Sequence, residues 1–270
     1  MSTESPDLAP MKPQVYKDER PAEYFTRFHE RTRTRDPDFM YEVVRLVLTP
    51  ILLLFFRTRC IDSHKIPAEG PVIVAPNHFS FMDHFLIAVY MRRKVHFVAK
   101  SQLFKRPLQF IYTHGGVFPV RRGHRDEEMF KTAHSLLSRG KVIVMYAEGG
   151  RSRTGELQQA KPGIGRLALE TGAVVVPAAI AGSEGARNWK KLRFPKVTVQ
   201  YGDPISFGDI IESPTREQSQ EAADQIFERT QKLFYGLRRG GRRNAIQGAR
   251  RAAREARKAA RGVAGRTPAR

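Results

Sequence analysis

The chain has 270 residues and carries 47 Lys+Arg against 27 Asp+Glu, a formal net charge of +20. With 41% hydrophobic residues and 17 Phe it has the material for a packed core, which excludes a globally disordered chain. Its one cysteine, Cys60, excludes an intramolecular disulfide framework and a cysteine-rich metal site.

The charge is uneven. Residues 237–270 hold 12 Lys+Arg and one acid, Glu255, a net +11, and the first 236 residues carry the remaining +9. This tail is dominated by Ala, Gly and Arg, with little that is large and apolar beyond Ile246 and Val263, so it is expected to be disordered. Arg250, Arg251, Arg254, Arg257, Lys258 and Arg261 nevertheless recur at three- and four-residue steps, and any helix here would gather a basic stripe. DNA, RNA and anionic lipid all suit such a stripe, and charge alone does not choose among them.

In chain order, residues 1–22 are polar, hold Pro6, Pro10, Pro13 and Pro21, and read as a mobile lead-in. The opening MSTESPDLAPMK lacks the basic-then-apolar order of a signal peptide, which points to the reducing cytoplasm. Tyr24, Phe25 and Phe28 lie at helical spacing and predict a short amphipathic helix. The apolar stretch from Val43 to Phe56, interrupted by Arg45 and Pro50, falls short of the roughly 18–20 residues needed to span a bilayer. It ends abruptly in Arg57-Thr58-Arg59, which favours a helix lying in the membrane interface over a plain core helix.

From Pro71 onward, short β-branched runs alternate with longer helical stretches, the signature of an α/β layer fold. Strands are predicted at Val72–Ala75, Val95–Ala99, Val117–Val120, Val142–Tyr146, Val174–Ala179 and Val197–Tyr201. Helices are predicted at Phe81–Met91, Gln102–Thr113, Asp126–Ser138, Gly163–Glu170 and Thr215–Tyr235. The expected architecture is a single central mixed sheet of about six or seven strands flanked by helices.

Four clusters sit at predicted strand ends, where open α/β sheets place ligand sites. In Asn77-His78-Phe79-Ser80-Phe81-Met82-Asp83, the carboxylate could orient His78 and leave one ring nitrogen free to take a proton. Ser80 and Asp83 also match the S-x-x-D pattern that opens helices, so Asp83 could equally be a cap. Gly115-Gly116-Val117-Phe118-Pro119-Val120-Arg121-Arg122 ends in two arginines suited to a phosphate. Tyr146-Ala147-Glu148-Gly149-Gly150-Arg151-Ser152-Arg153 combines glycines that can turn backbone N–H groups toward an anion with the charge of Arg151 and Arg153. Val174-Val175-Val176-Pro177-Ala178-Ala179 reads by itself as core. No zinc-protease motif, Walker loop or His/Cys ligand set is visible, so no metal is expected.

Together, in this order over roughly residues 60–205, the clusters resemble the glycerolipid acyltransferases of the 1-acylglycerol-3-phosphate acyltransferase family. NHFSFMD resembles that family's His-x4-Asp block, GGVFPVR its Gly-x-x-Phe-x-x-Arg block, EGGRS its Glu-Gly-Thr-Arg-Ser block and VVVPAA its apolar-proline block. Gly150 stands where the family usually has threonine, and Ala147 where it usually has proline.

The resemblance implies acyl transfer from a thioester to the sn-2 hydroxyl of 1-acylglycerol 3-phosphate, making phosphatidate. It implies His78 as base with Asp83 orienting it, and Lys100, Arg121, Glu148, Gly149 and Arg151 around the acceptor. It implies no cofactor beyond the donor substrate, acyl-CoA or acyl carrier protein, and a peripheral, monotopic seat on the anionic cytoplasmic face of the plasma membrane. The expected organisation is a lead-in over 1–22, a membrane-interfacial helical segment over 23–59, an acyltransferase domain over 60–236 and a basic tail over 237–270. Two other readings stay open at this point: a same-family enzyme acting on another lysolipid, and a nucleic-acid-binding protein led by the tail.

Overall fold

The computed structural model describes residues 18–123, 126–186 and 194–264, with side chains undescribed at several positions after 255. The elements are α1 (Glu23–Thr34), α2 (Phe39–Leu54), β1 (Arg59–Ile61), β2 (Val72–Pro76), α3 (Asp83–Ala88), β3 (Val95–Lys100), α4 (Leu108–His114), β4 (Val117–Val120), α5 (Glu127–Ser138), β5 (Val142–Val144), α6 (Pro162–Thr171), β6 (Val174–Ala181), β7 (Thr198–Tyr201) and α7 (Arg216–Ala264).

The strands form one seven-stranded sheet in the order β1-β7-β6-β2-β5-β3-β4. Five run parallel, and β7 turns against β6 and pairs in parallel with β1, so the sheet is mixed as expected. Every residue of β2 and β5 is buried, because helices cover both faces and the run need not alternate. On one face Val72, Val74, Val142, Val144 and Val176 pack with Leu86, Ile87 and Leu52. On the other, Ile73, Ile143 and Val175 meet α5, α6 and α7 through Leu136, Leu167 and Phe227.

Local chemistry sets the helix ends. Asp126 caps α5 by accepting from the Met129 amide, and Asp38 caps α2 by accepting from Met40. Pro162 opens α6, where its missing N–H costs nothing, and Gly172, in the left-handed region at φ 61°, closes it. Gly165 allows the closest helix contact: a Cβ there would lie 2.0 Å from the Ser219 carbonyl oxygen of α7.

Three observations differ from the sequence expectations. β1 was not expected; it is a three-residue edge strand, too short to show periodicity, and it exists by pairing with β7. The end of the lead-in is tied down. Asp18 is buried and accepts from Ser101 Oγ at 2.7 Å, while Arg20 donates to the carbonyls of Ser101 and Phe104; residues 1–17 lie outside the described residues.

The largest difference is in the tail. α7 continues through 237 to Ala264, broken only at Gly241, whose φ of 71° and ψ of 163° lie outside the helical region. Alanine and arginine are strong helix formers, so the segment is helical with little that is large and apolar in it; residues 265–270 lie outside the described residues. Ala245, Ile246 and Ala249 also find a partner surface, against Phe79, Phe234 and Leu237.

Candidate active site

The carboxyl ends of β2, β3, β4 and β5 open onto a pocket of about 1090 Å³. His78 reaches it from the loop between β2 and α3, and four connections hold that loop. Asn77 clamps the end of β6, accepting from the Ile180 amide at 2.7 Å and donating to its carbonyl at 3.0 Å. The Ser152 amide donates to the His78 carbonyl, and the His78 amide donates to Glu148 Oε1 at 2.8 Å. Asp83 supplies the fourth.

Asp83 is fully buried, and its Oδ2 accepts three hydrogen bonds at 2.8 Å: from His78 Nδ1 and from the amides of Phe79 and Ser80. Ser80 Oγ in turn accepts from the Met82 amide. Met82 is the N-cap of α3 and makes no side-chain cap bond, so Asp83 is not the helix cap that the sequence also allows; the oxygen that orients the histidine also braces the loop before the helix. With Nδ1–H committed to a carboxylate, Nε2 is the ring nitrogen left to accept a proton. Burial lowers the His78 pKa, and the Asp83 bond opposes that shift without reversing it, so the ring is neutral near pH 7.

Two groups without a role in the sequence reading complete the histidine's surroundings. Tyr146, at the end of β5, stacks on the His78 ring at 3.8 Å between centroids. His84 meets it edge-on at 5.2 Å, and burial holds its pKa down to about 3, so it is neutral. Their only sequence signal was position: one lies just before the Glu148 block and the other just after Asp83.

Lys100, Arg122, Arg151 and Lys161 line the same pocket as His78. The Lys100 pKa is lowered first by burial and then by Arg151 and Arg122, as expected of cations gathered around an anion site. Gly149 lines the pocket too, at φ 65°, and a Cβ there would come within 2.8 Å of Lys161 Cδ.

Two expected site residues lie elsewhere. Arg121 points away from the pocket: its guanidinium donates to the Arg20 carbonyl and lies 6.0 Å from the Phe25 ring. Side chains alternate along an extended chain, so Val120 and Arg122 line the pocket and Arg121 between them faces α1. The neighbouring arginine takes the position expected of it. Glu148 is 1% exposed and does not line the pocket; its two oxygens accept the amides of His78 and Gln158. It fixes the histidine loop, and burial raises its pKa to about 7.

A second, apolar pocket of about 470 Å³ lies under α2 and α4, lined by Val44, Leu48, Phe85, Ile111 and their neighbours. Phe81, His84, Ala99 and Leu103 line both pockets and form the boundary between them.

Residues 57–181 match the family model described as Acyltransferase. This stretch, just under half of the chain, is similar to an acyltransferase domain. The chain is 25% identical over 167 residues to a chloroplastic 1-acyl-sn-glycerol-3-phosphate acyltransferase of Arabidopsis thaliana, covering 57% of this chain and 47% of that protein. It is 27% identical over 139 residues to the enzyme of that name from Cocos nucifera, covering 49% and 45%. It is 30% identical over 150 residues to a glycerol-3-phosphate acyltransferase of Aeromonas hydrophila, covering 49% and 19%. The chain thus spans less than half the length of these curated relatives. Its fold is similar to the crystal structure of the 1-acyl-sn-glycerophosphate acyltransferase of Thermotoga maritima, with a TM-score of 0.52 at 20% identity, over 78% of this chain and 87% of that one.

Proposed function

We propose that the protein transfers a fatty acyl group from a thioester to the sn-2 hydroxyl of 1-acylglycerol 3-phosphate, releasing phosphatidate. The observation that carries this reading is the 2.8 Å bond from His78 Nδ1 to Asp83 in a pocket that also holds Lys100, Arg122 and Arg151.

An alcohol is a weak nucleophile at neutral pH and needs its proton removed as it attacks, whereas a thiolate leaves with little help. His78 Nε2 takes the hydroxyl proton, the oxygen attacks the thioester carbonyl, and collapse of the tetrahedral intermediate expels the thiolate, which recovers a proton. Asp83 holds the tautomer and stabilises the imidazolium formed on the way. The transfer is direct. Lys100, Arg122 and Arg151 hold the acceptor's phosphate, and the adjoining apolar pocket takes a hydrocarbon chain, its entrance framed by Phe81, His84, Ala99 and Leu103. Donors of either kind, acyl-CoA or acyl carrier protein, present the same thioester.

Both substrates of such a reaction carry long chains, and the exposed surface suits a bilayer. No helix among the described residues is long and apolar enough to cross a membrane. Yet Leu46, Leu54 and Phe55 of the α2 segment are 76%, 73% and 51% exposed, and Leu108 and Phe110 of α4 extend the same kind of surface. We place this face in the membrane interface, in keeping with a peripheral seat on the cytoplasmic side.

The relatives named glycerol-3-phosphate acyltransferase favour one second reading, in which the acceptor is glycerol 3-phosphate. The apolar pocket serves either reading, since the acyl donor brings a chain of its own, and the two are separated by their product. Mass spectrometry of products formed from one acyl-CoA and an equimolar mixture of both acceptors tests this. Phosphatidate as the main product supports the proposal, and lysophosphatidate as the main product assigns the second reading.

A further inference from the structure

The acyl-transfer site leaves one large feature unused, the second segment of α7. From Gly241 to Ala264 it holds eight Lys and Arg and one acid, Glu255. Its root is fixed firmly. Arg242 donates to Thr198 Oγ1, to the Val197 carbonyl and to the Arg57 carbonyl at 2.7–2.8 Å, which ties the segment to β7 and to the residues just after α2.

Helical spacing then sorts its residues. Ala245, Ile246 and Ala249 pack toward Phe79, Phe234 and Leu237, while Arg243, Arg250 and Arg254, seven and four residues apart, fall on another side and are exposed. Arg251 and Lys258 are exposed too. Glu255 pairs with Arg251 at 2.9 Å. At about 1.5 Å per residue the segment extends roughly 30 Å from its root.

We propose that this segment is an electrostatic arm that lies on an anionic lipid surface and holds the α2 face against it. The inference rests on the reading that the acyl acceptor is a bilayer lipid. The position of the root decides for lipid over nucleic acid. Arg242 is pinned to Arg57, two residues after the exposed Phe55 and three after Leu54, so the basic helix leaves the body where an inserted apolar face meets the headgroups. Arg57 and Arg59 sit close enough to lower the Arg242 pKa, after burial, which makes this corner a dense positive rim. A shallow apolar anchor with a basic patch beside it is a two-signal attachment, stronger than either part.

The test uses the full chain carrying Arg243→Gln, Arg250→Gln, Arg251→Gln, Arg254→Gln and Lys258→Gln together. All five positions are exposed, and Arg242 with its bonds is retained. Sedimentation with vesicles of phosphatidylcholine, alone or mixed with phosphatidylglycerol, measures binding. The wild-type chain binds the mixed vesicles better and loses that advantage in high salt. The variant binds them roughly tenfold to a hundredfold more weakly, and both proteins bind pure phosphatidylcholine alike. Equal binding of the two proteins to mixed vesicles overturns the proposal, and so does a salt-dependent shift of duplex DNA that the variant loses while its vesicle binding is unchanged. Transfer to a short-chain lysophosphatidate below its micelle concentration is a separate readout. It is equal in the two proteins, and its absence in both refutes the acyl-transfer reading without touching the vesicle result.

Discussion

Asp83→Asn separates the two duties of one oxygen. In the wild-type protein Oδ2 accepts from His78 Nδ1 and from the amides of Phe79 and Ser80, each at 2.8 Å. A neutral amide oxygen in the same place leaves three bonds but removes their charge assistance, about 1 kcal/mol each. Two of these bonds shape the loop, so about 2 kcal/mol appears as lost stability, a fall in Tm of roughly 4–8 °C for a chain of this size. The third acts in the reaction. Without a carboxylate beside it the imidazolium is less stable, and kcat/KM falls roughly 10²- to 10⁴-fold. The assay is steady-state transfer by the purified variant beside its thermal unfolding curve. A lowered Tm with kcat/KM unchanged would refute the reasoning and leave Asp83 as a brace of the loop only.

Arg122→Ala is expected to raise KM for the phosphate acceptor roughly tenfold to a hundredfold, while Arg121→Ala leaves it within about twofold; the reverse ranking would return the phosphate to Arg121. Glu148 gives a pH signature. Its pKa is about 7 in the fold against an ordinary 4.5, so between those values the folded protein holds a proton that the unfolded chain has released. Its stabilising contribution is complete below the ordinary value and is lost as pH rises through 7, roughly 3 kcal/mol in all. His29, His84 and His96, whose pKa values are lowered, work in the opposite direction, so the readout is the difference between wild-type and Glu148→Gln urea curves from pH 5 to pH 8. Parallel curves would contradict the burial argument. Leu54→Ser with Phe55→Ser should weaken binding to neutral vesicles roughly tenfold or more, as measured by sedimentation, and undiminished binding would move the membrane face elsewhere.

The sheet is legible because β2, β5 and β6 each open on three consecutive β-branched residues, as suits a doubly covered parallel strand. β1 is not, because three residues at an edge carry no pattern of their own. Within the site, His78 and Asp83 could be read from a five-residue spacing that one loop and one helix start bring together. The identity of the phosphate-facing arginine could not be, since Arg121 and Arg122 are equivalent in composition and only the phase of β4 distinguishes them. Glu148 is the converse case: its block was visible, but a carboxylate turned inward onto two backbone amides looks in sequence like one turned toward a ligand. The tail misled because its order comes from helix propensity and from a contact surface built by distant residues, Phe79 and Phe234.

The most direct measurement is phosphatidate formation by purified His78→Ala with lysophosphatidate and acyl-CoA, quantified by mass spectrometry beside the wild-type protein. The wild-type protein makes phosphatidate, and the variant, folded by circular dichroism, loses about a thousandfold or more of the rate because the hydroxyl has no base. Substantial residual transfer by the folded variant would contradict the assignment of His78 as that base.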